Sequence, residues 1–255
     1  MDFALKLQER TGKGYLSYSS LKYALQDMRL FEMHMAGQLR KESDALTFGS
    51  LYDDLLFSSS EDVESKYIVL DDAQILEEIG GASPRSTKKY KEWLAELSDS
   101  NVGKKIVKAE DYDMAIDMIN RLQDCGIAET YLEGEYQVEF NKFIGEIPVR
   151  GFLDCLTANG DIVDLKSARS VSTFKYDAFK FGYDIQAYIY TKVFGGKFYW
   201  VAQEKTYPYL PAVFMATDDT INSGRRKFEK AIDTISLYLD SKEKPTTSFY
   251  IFGEI

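Results

Sequence analysis

The chain has 255 residues, 45% hydrophobic and 28% charged, with 31 Lys and Arg against 41 Asp and Glu for a net charge of −10. That composition suits one large soluble domain and excludes a protein that coats nucleic acid over its whole surface. Two cysteines, Cys125 and Cys155, and one histidine, His34, exclude a disulfide framework, a structural zinc site and an iron–sulfur cluster, so any metal must be held by oxygen.

No apolar run is long enough to span a membrane, and the start, MDFALKLQERTGKGY, has neither a basic nor an apolar signal region, so a cytoplasmic protein is expected. The absence of repeats, low-complexity tracts and Pro/Ser-rich linkers predicts a single domain over 1–255.

In chain order, residues up to about 130 read as helical. SYSSLKYALQDMRLFEMHM opens on serine caps, SDALTFGSLYDDLLF has apolar residues at helical spacing, and STKKYKEWLAEL and AEDYDMAIDMINRLQDC follow. Near residue 131 the character changes. YLEGEYQVEF, IPVRGFLDCLT and DIVDLKSA are short, rich in Val, Ile, Tyr and Phe, and parted by Gly/Asn/Asp turns, as in an antiparallel meander. The aromatic-rich segment Thr173 to Phe194 is expected to hold a helix from about Tyr183. It leads to the strand KFYWVAQEKT, where Phe198, Trp200 and Ala202 alternate, and past Pro208 to LPAVFMAT. The last helix, DDTINSGRRKFEKAIDTISLYLDS, carries Ile221, Phe228, Ile232, Ile235 and Leu239 as one stripe behind an Asp/Thr cap. The fold class is therefore α/β: a mixed sheet, its strands supplied by the second half, flanked by helices and preceded by a helical half.

Two of these strands carry carboxylates in unusual places. Asp164 and Lys166 share one face of their strand while Leu165 between them points to the core. If residues 147–156 and 162–168 form a hairpin, Asp154 and Asp164 come together, and two crowded carboxylates repel unless a cation lies between them. A hard divalent ion such as Mg²⁺ removes that cost, and the Leu165 carbonyl is a further oxygen ligand. Lys166 can then orient a water or offset charge on a phosphoryl group. The alternative from this stretch alone is an Asp154 that flanks the turn and a solvent-facing Asp164–Lys166 salt bridge on an edge strand. Gln186 and Tyr190 lie one helical turn apart and share a face. Local basic runs, Lys166, Arg169, Lys175 and Lys180 and then GRRKFEK, offset the acidic surface or are solvated helix faces.

The ordered segments FGSLYDDLLF, RGFLDCL, IVDLKSA and GYDIQAYIY resemble the PD-(D/E)xK nuclease superfamily, in particular the RecE-type exonuclease VIII and, more distantly, the RecB nuclease domain. The resemblance runs along nearly the whole chain. It implies a restriction-endonuclease-like core over about 131–255, with Asp154 and Asp164 as metal ligands, Lys166 as catalytic lysine, and Gln186 and Tyr190 facing the active site. Glu139, in YQVEF, falls where the family often has another acid; an exposed edge glutamate is the alternative. The first motif departs: counting four from Gly49 gives Asp53 where the exonuclease VIII pattern has His, with Asp54 competing for the position. His34 lies outside the motif.

The resemblance further implies an Mg²⁺-dependent DNA exonuclease, with Mn²⁺ substituting, acting 5′ to 3′ on duplex ends in a phage or prophage setting. A single-strand annealing protein is the expected partner. A ring-shaped homo-oligomer would gather Arg169, Lys175, Arg225 and Arg226 around the DNA. The competing reading is a DNA-binding or processing subunit with a vestigial nuclease centre.

Overall fold

The computed structural model describes residues 2–39 and 43–241. The helical half begins with α1 (Phe3–Thr11), α2 (Tyr18–Gln26) and α3 (Met28–Met35). The segment expected to be one helix over 17–35 is two. Asp27 ends α2 in an extended conformation, and its carboxylate then accepts from the Arg29 amide at 2.8 Å to cap α3. A short polar side chain that competes for backbone donors starts a new helix here instead of continuing the old one. His34, on α3, packs its ring 5.1 Å from Tyr23.

Next come α4 (Asp44–Phe57), α5 (Ser60–Lys66), β1 (Tyr67–Leu70), α6 (Asp72–Ile79), α7 (Lys88–Ser100), β2 (Lys105–Lys108), α8 (Ala109–Asp124) and α9 (Ile127–Tyr131). The strands β1 and β2 pair in parallel as a separate small sheet, Tyr67 opposite Lys105 through Leu70 opposite Lys108. The first half is thus not purely helical. Its two four-residue strands, YIVL and KIVK, are too short to stand out from helix-rich surroundings by alternation.

The second half supplies the main sheet: β3 (Gly134–Ile144), β4 (Ile147–Thr157), β5 (Ile162–Ala168), β6 (Phe198–Glu204) and β7 (Pro211–Met215), in that spatial order. All neighbours are antiparallel except β5 and β6, which run parallel, Asp164 opposite Trp200. The crossover between them holds α10 (Phe174–Phe181) and α11 (Tyr183–Phe194), and α12 (Asp218–Asp240) follows β7. The expected meander, crossover helix and last helix are all present, and α10 is an addition to them.

Two cores sandwich the sheet. On one face Ile185, Ile189 and Tyr190 of α11 pack with Phe198 and Trp200 of β6, and Phe228 and Ile235 of α12 close the layer. On the other face Phe48 and Tyr52 of α4 and Met118 and Leu122 of α8 cover Cys155, Val163, Leu165 and Val201. Central strands covered on both faces read as near-continuous apolar runs, which is why the residues between Phe198, Trp200 and Ala202, Tyr199 and Val201, are apolar too and face the second core.

Cys155 is fully buried in the second core, and burial pushes its thiol up to about 11, whereas Cys125 is exposed. Iodoacetamide at neutral pH is expected to label Cys125 in the native protein and Cys155 only after denaturation, read by mass spectrometry of the peptides.

Candidate active site

The strands β4 and β5 share only two paired positions, Cys155 with Val163 and Leu156 with Ile162, before they part. Side chains, not backbone, fill the gap. The Leu165 amide donates to Asp154 Oδ2 at 2.8 Å, and the Tyr190 hydroxyl donates to the Phe152 carbonyl at 2.9 Å. Farther along, Leu16 takes the place of β5: its amide donates to Pro148 O at 2.9 Å and its carbonyl accepts from the Arg150 amide at 2.8 Å. The fork thus leaves a short length of β4 whose backbone groups answer to side chains.

Opposite Asp154 the β3–β4 ladder is interrupted too. Gln137, the residue facing it in register, has φ 52° and makes no paired contact. A non-glycine residue in the left-handed region is strained, and such strain persists only where neighbours enforce it. Leu153 and Cys155, which an unbroken strand would point to the same side, lie in different cores. Asp154 therefore sits where the strand changes over, open to both layers.

On β5, Asp164 is 3% exposed and lies opposite Trp200 of a central strand. This overturns the reading of a solvent-facing salt bridge on an edge strand. Its Oδ1 accepts from Gln186 Nε2 at 2.7 Å. Its Oδ2 lies 2.5 Å from Lys166 Nζ but off the line of a hydrogen bond, so charge holds that contact. Lys166 also reaches the Leu165 carbonyl at 3.4 Å, and its ammonium stands 5.4 Å from the Tyr183 ring centre.

The electrostatics follow from crowding. Burial raises Asp154 to about 7, the charge of Asp164 adds to the shift, and Lys166 and the Leu165 amide oppose it. Burial and then the charge of Asp154 push Asp53 of α4 well above the ordinary carboxylate range. For Lys166 burial works against the ammonium, but Asp164 and Asp154 outweigh it and raise the lysine overall. Asp53, Asp154, Asp164 and Lys166 thus sense one another.

Asp53 and Asp54 differ in their partners. Asp54 is taken up by Lys66 at 2.6 Å, the Tyr67 hydroxyl at 2.7 Å and Ser58 at 3.3 Å, whereas Asp53 faces the Asp154 cluster. Glu139 is not brought there. It is ion-paired with Arg150 and half-exposed on the outer part of the sheet. Arg169 and Lys175 are exposed just beyond β5, whereas Arg225 and Arg226 sit on the outward side of α12, where Arg225 pairs with Glu229 at 3.1 Å.

Three contributions escaped the sequence. Tyr18, at the start of α2, and Tyr183 are each raised by burial and feel Lys166 and Asp164, so they wall the site. Gln203 on β6 accepts from the Tyr52 hydroxyl and donates to the Met118 and Tyr209 carbonyls at 2.9 Å each, tying α4 and α8 to the sheet beside Asp53. Asp184 is buried against Ser223 at 2.7 Å and Lys227 at 2.8 Å of α12, which fixes the helix that presents Gln186. Their local sequence does not announce these contacts, which form only when α2, α11 and β6 come together in the fold.

Residues 17–249 match the family described as a PDDEXK-like domain of unknown function (DUF3799). The chain belongs to this PDDEXK-like family, within the PD-(D/E)xK nuclease superfamily. A crystal structure from Eubacterium rectale, described as a candidate exonuclease, is similar over 95% of this chain and 86% of its own at 16% identity, with a TM-score of 0.63. An alkaline exonuclease from Laribacter hongkongensis matches 69% of this chain and 90% of its own at 12% identity, with a TM-score of 0.28. No curated protein matches the sequence. Among the described residues of this PDDEXK-like nuclease domain, no three His, Cys, Asp or Glu side chains converge closely enough to form a ready-made metal cluster. The donor set nonetheless fits a hard cation, because oxygen ligands with raised pKa values and an Asp164 Oδ2 lacking a hydrogen bond are what such an ion would relieve.

Asp154 holds its proton more tightly folded, at about 7, than at the ordinary 3.8, so this contribution to stability is complete below pH 3.8 and is lost as pH rises through 7. The melting temperature of chelator-treated protein is expected to fall between about pH 4 and pH 7, and Asp154→Asn to flatten part of that fall. Gly151 has no room for a side chain: a Cβ there would stand 2.7 Å from the Phe140 ring and 2.9 Å from the Tyr190 hydroxyl. Gly151→Ala is expected to lower thermal stability by about 1–3 kcal/mol and to reduce nuclease activity by displacing β4 at the fork.

Proposed function

We propose that this nuclease domain is an Mg²⁺-dependent DNA exonuclease, with Mn²⁺ able to substitute, that digests duplex ends 5′ to 3′. The observation that carries this reading is the fork of β4 and β5, which brings a half-buried Asp154 beside the buried Asp164 and its ion-pair partner Lys166. Asp154, Asp164, Asp53 and the Leu165 carbonyl would hold the cation. When bound, it would offset their repulsion and polarise the scissile phosphate.

Within that site each residue has a distinct task. Lys166 orients the attacking water and offsets the charge that develops as its oxygen bonds to phosphorus. The P–O bond to the leaving sugar breaks, and the proton from the water ends on the leaving oxygen. Gln186 keeps Asp164 in place through its 2.7 Å bond, and Tyr190 holds β4 open through its bond to Phe152. Arg169 and Lys175 are placed to meet phosphates leading to the site. Arg225 and Arg226, on α12, would reach DNA only where neighbouring subunits enclose it, as in a ring. The product strand suits an annealing protein in a phage recombination setting within the cytoplasm.

A second reading, a DNA-binding subunit with a vestigial centre, draws on Asp53 standing in the motif's His position and on the lack of a ready-made cluster among the described residues. Linear duplex labelled separately at each end distinguishes the two. With Mg²⁺ the parent is expected to release label from the 5′ ends first, and chelator to stop it. Lys166→Ala is expected to slow release by roughly 100- to 1,000-fold, and Asp164→Ala at least as much, with circular dichroism unchanged. Binding without Mg²⁺-dependent release in the parent supports the vestigial reading; full activity in both variants places the chemistry elsewhere.

A further inference from the structure

The helix α10 joins the strand of Lys166 to the helix of Gln186, and it is amphipathic in an unusual sense. It buries Phe174 and Ala178, one turn apart, with Phe174 against Trp200, Phe214 and Tyr183. Its outward side carries not polar residues alone but Tyr176, 67% exposed, and Phe179, 45% exposed, with exposed Lys175 and Lys180 on the same side. Phe181, 44% exposed, ends the helix 5.8 Å from Tyr183, whose ring lies 5.4 Å from Lys166. Exposed rings therefore stand on the outward side of α10 at Tyr176 and Phe179 and, at its end, beside Tyr183 at Phe181.

The lysines specify what this surface meets. Lys175 stands 4.9 Å from the Tyr176 ring centre and Lys180 5.7 Å from that of Phe181, and neither forms an ion pair with any described carboxylate. On a chain of net charge −10, cations left unneutralised beside exposed rings are complementary to a polyanion that also offers flat apolar faces. A duplex hides the faces of its bases inside the stack; an unpaired strand presents them. Ring faces and ammonium groups alternating along a short path are the recognition elements of a single strand, bases on the rings and phosphates on the lysines.

We infer that α10 is a stacking platform for an unpaired DNA strand, with Tyr176 and Phe179 taking bases and Lys175 and Lys180 taking phosphates, so that the nuclease engages a separated strand beside its site. The inference rests on the nuclease reading above and names the strand state of its substrate.

Fluorescent oligothymidylate and a blunt duplex, each titrated in chelator and followed by anisotropy, test it without cleavage. The double variant Tyr176→Ala/Phe179→Ala, with unchanged circular dichroism, is expected to bind oligothymidylate about tenfold more weakly per ring lost while duplex affinity stays as in the parent. Tyr176→Trp should restore single-strand binding. Lys175→Ala/Lys180→Ala should weaken binding and reduce the slope of log affinity against log salt by about 1.4, the value for two phosphates of a single strand. Unchanged oligothymidylate affinity in the aromatic double variant overturns the inference. So does a change of sedimentation coefficient in place of an affinity loss, which would make α10 a contact between copies. Asp164→Ala is expected to keep single-strand affinity. If the parent fails to cleave yet the aromatic dependence persists, the catalytic reading falls and the platform stands.

Discussion

Two carboxylates are held close together, one buried and the other half-buried, and the rest of the architecture arranges for that to be tolerable. Asp164 is buried beside Asp154, burial and the charge of Asp164 raise the tendency of Asp154 to protonate, and Lys166 is the cation set against them. An arrangement of this kind works against folding stability unless something else binds, because an imperfectly compensated buried charge costs several kcal/mol. Its retention in a core strand is accounted for by chemistry rather than by packing.

The fork of β4 and β5 is what makes the site possible. A fully paired hairpin would have used the Leu165 amide for a backbone carbonyl, leaving Asp154 without that donor; the parting of the strands hands the amide to the carboxylate instead. The fork is kept open from three sides. Tyr190 and Phe140 fill the space at Gly151, Leu16 pairs with the freed edge of β4, and the strained Gln137 releases the other edge opposite Asp154. Beyond the sheet, buried polar ties set the helices. Gln203 anchors α4 so that Asp53 faces inward, and Asp184 with Lys227 and Ser223 anchors α11 so that Gln186 meets Asp164. Gly224 lets α12 approach closely enough for this, since a Cβ there would lie 2.0 Å from the Asp184 carbonyl.

Much of the fold was legible because local chemistry and global structure agree. The Gly/Asn/Asp turns did mark the β3–β4–β5 meander, and the stripe from Ile221 to Leu239 did become the packed side of α12. That Asp164 and Lys166 share one face of β5, and Gln186 and Tyr190 one face of α11, was legible for the same reason: spacing alone fixes those directions. What escaped depended on tertiary context. The sequence of SYSSLKYALQDMRLFEMHM is periodic throughout, and only the capping competition at Asp27 breaks it. The small β1–β2 sheet pairs strands far apart in the chain, so neither strand carries the pattern alone. Glu139 sat in a plausible register, yet its diagonal neighbour on β4, Arg150, claimed it. Which of Asp53 and Asp54 is engaged elsewhere depends on Lys66 and Tyr67, which arrive from another part of the fold to take Asp54.

The proposed nuclease centre requires that Asp154 and Asp164 share one cation. The most direct measurement is Mn²⁺ binding to the purified protein, followed by the loss of the free-ion electron paramagnetic resonance signal, with Asp154→Asn, Asp164→Asn and Asp54→Asn compared. Saturable uptake that disappears in the first two variants and persists in the third is the expected result. No uptake by the parent, or uptake indifferent to Asp154 and Asp164, would contradict it.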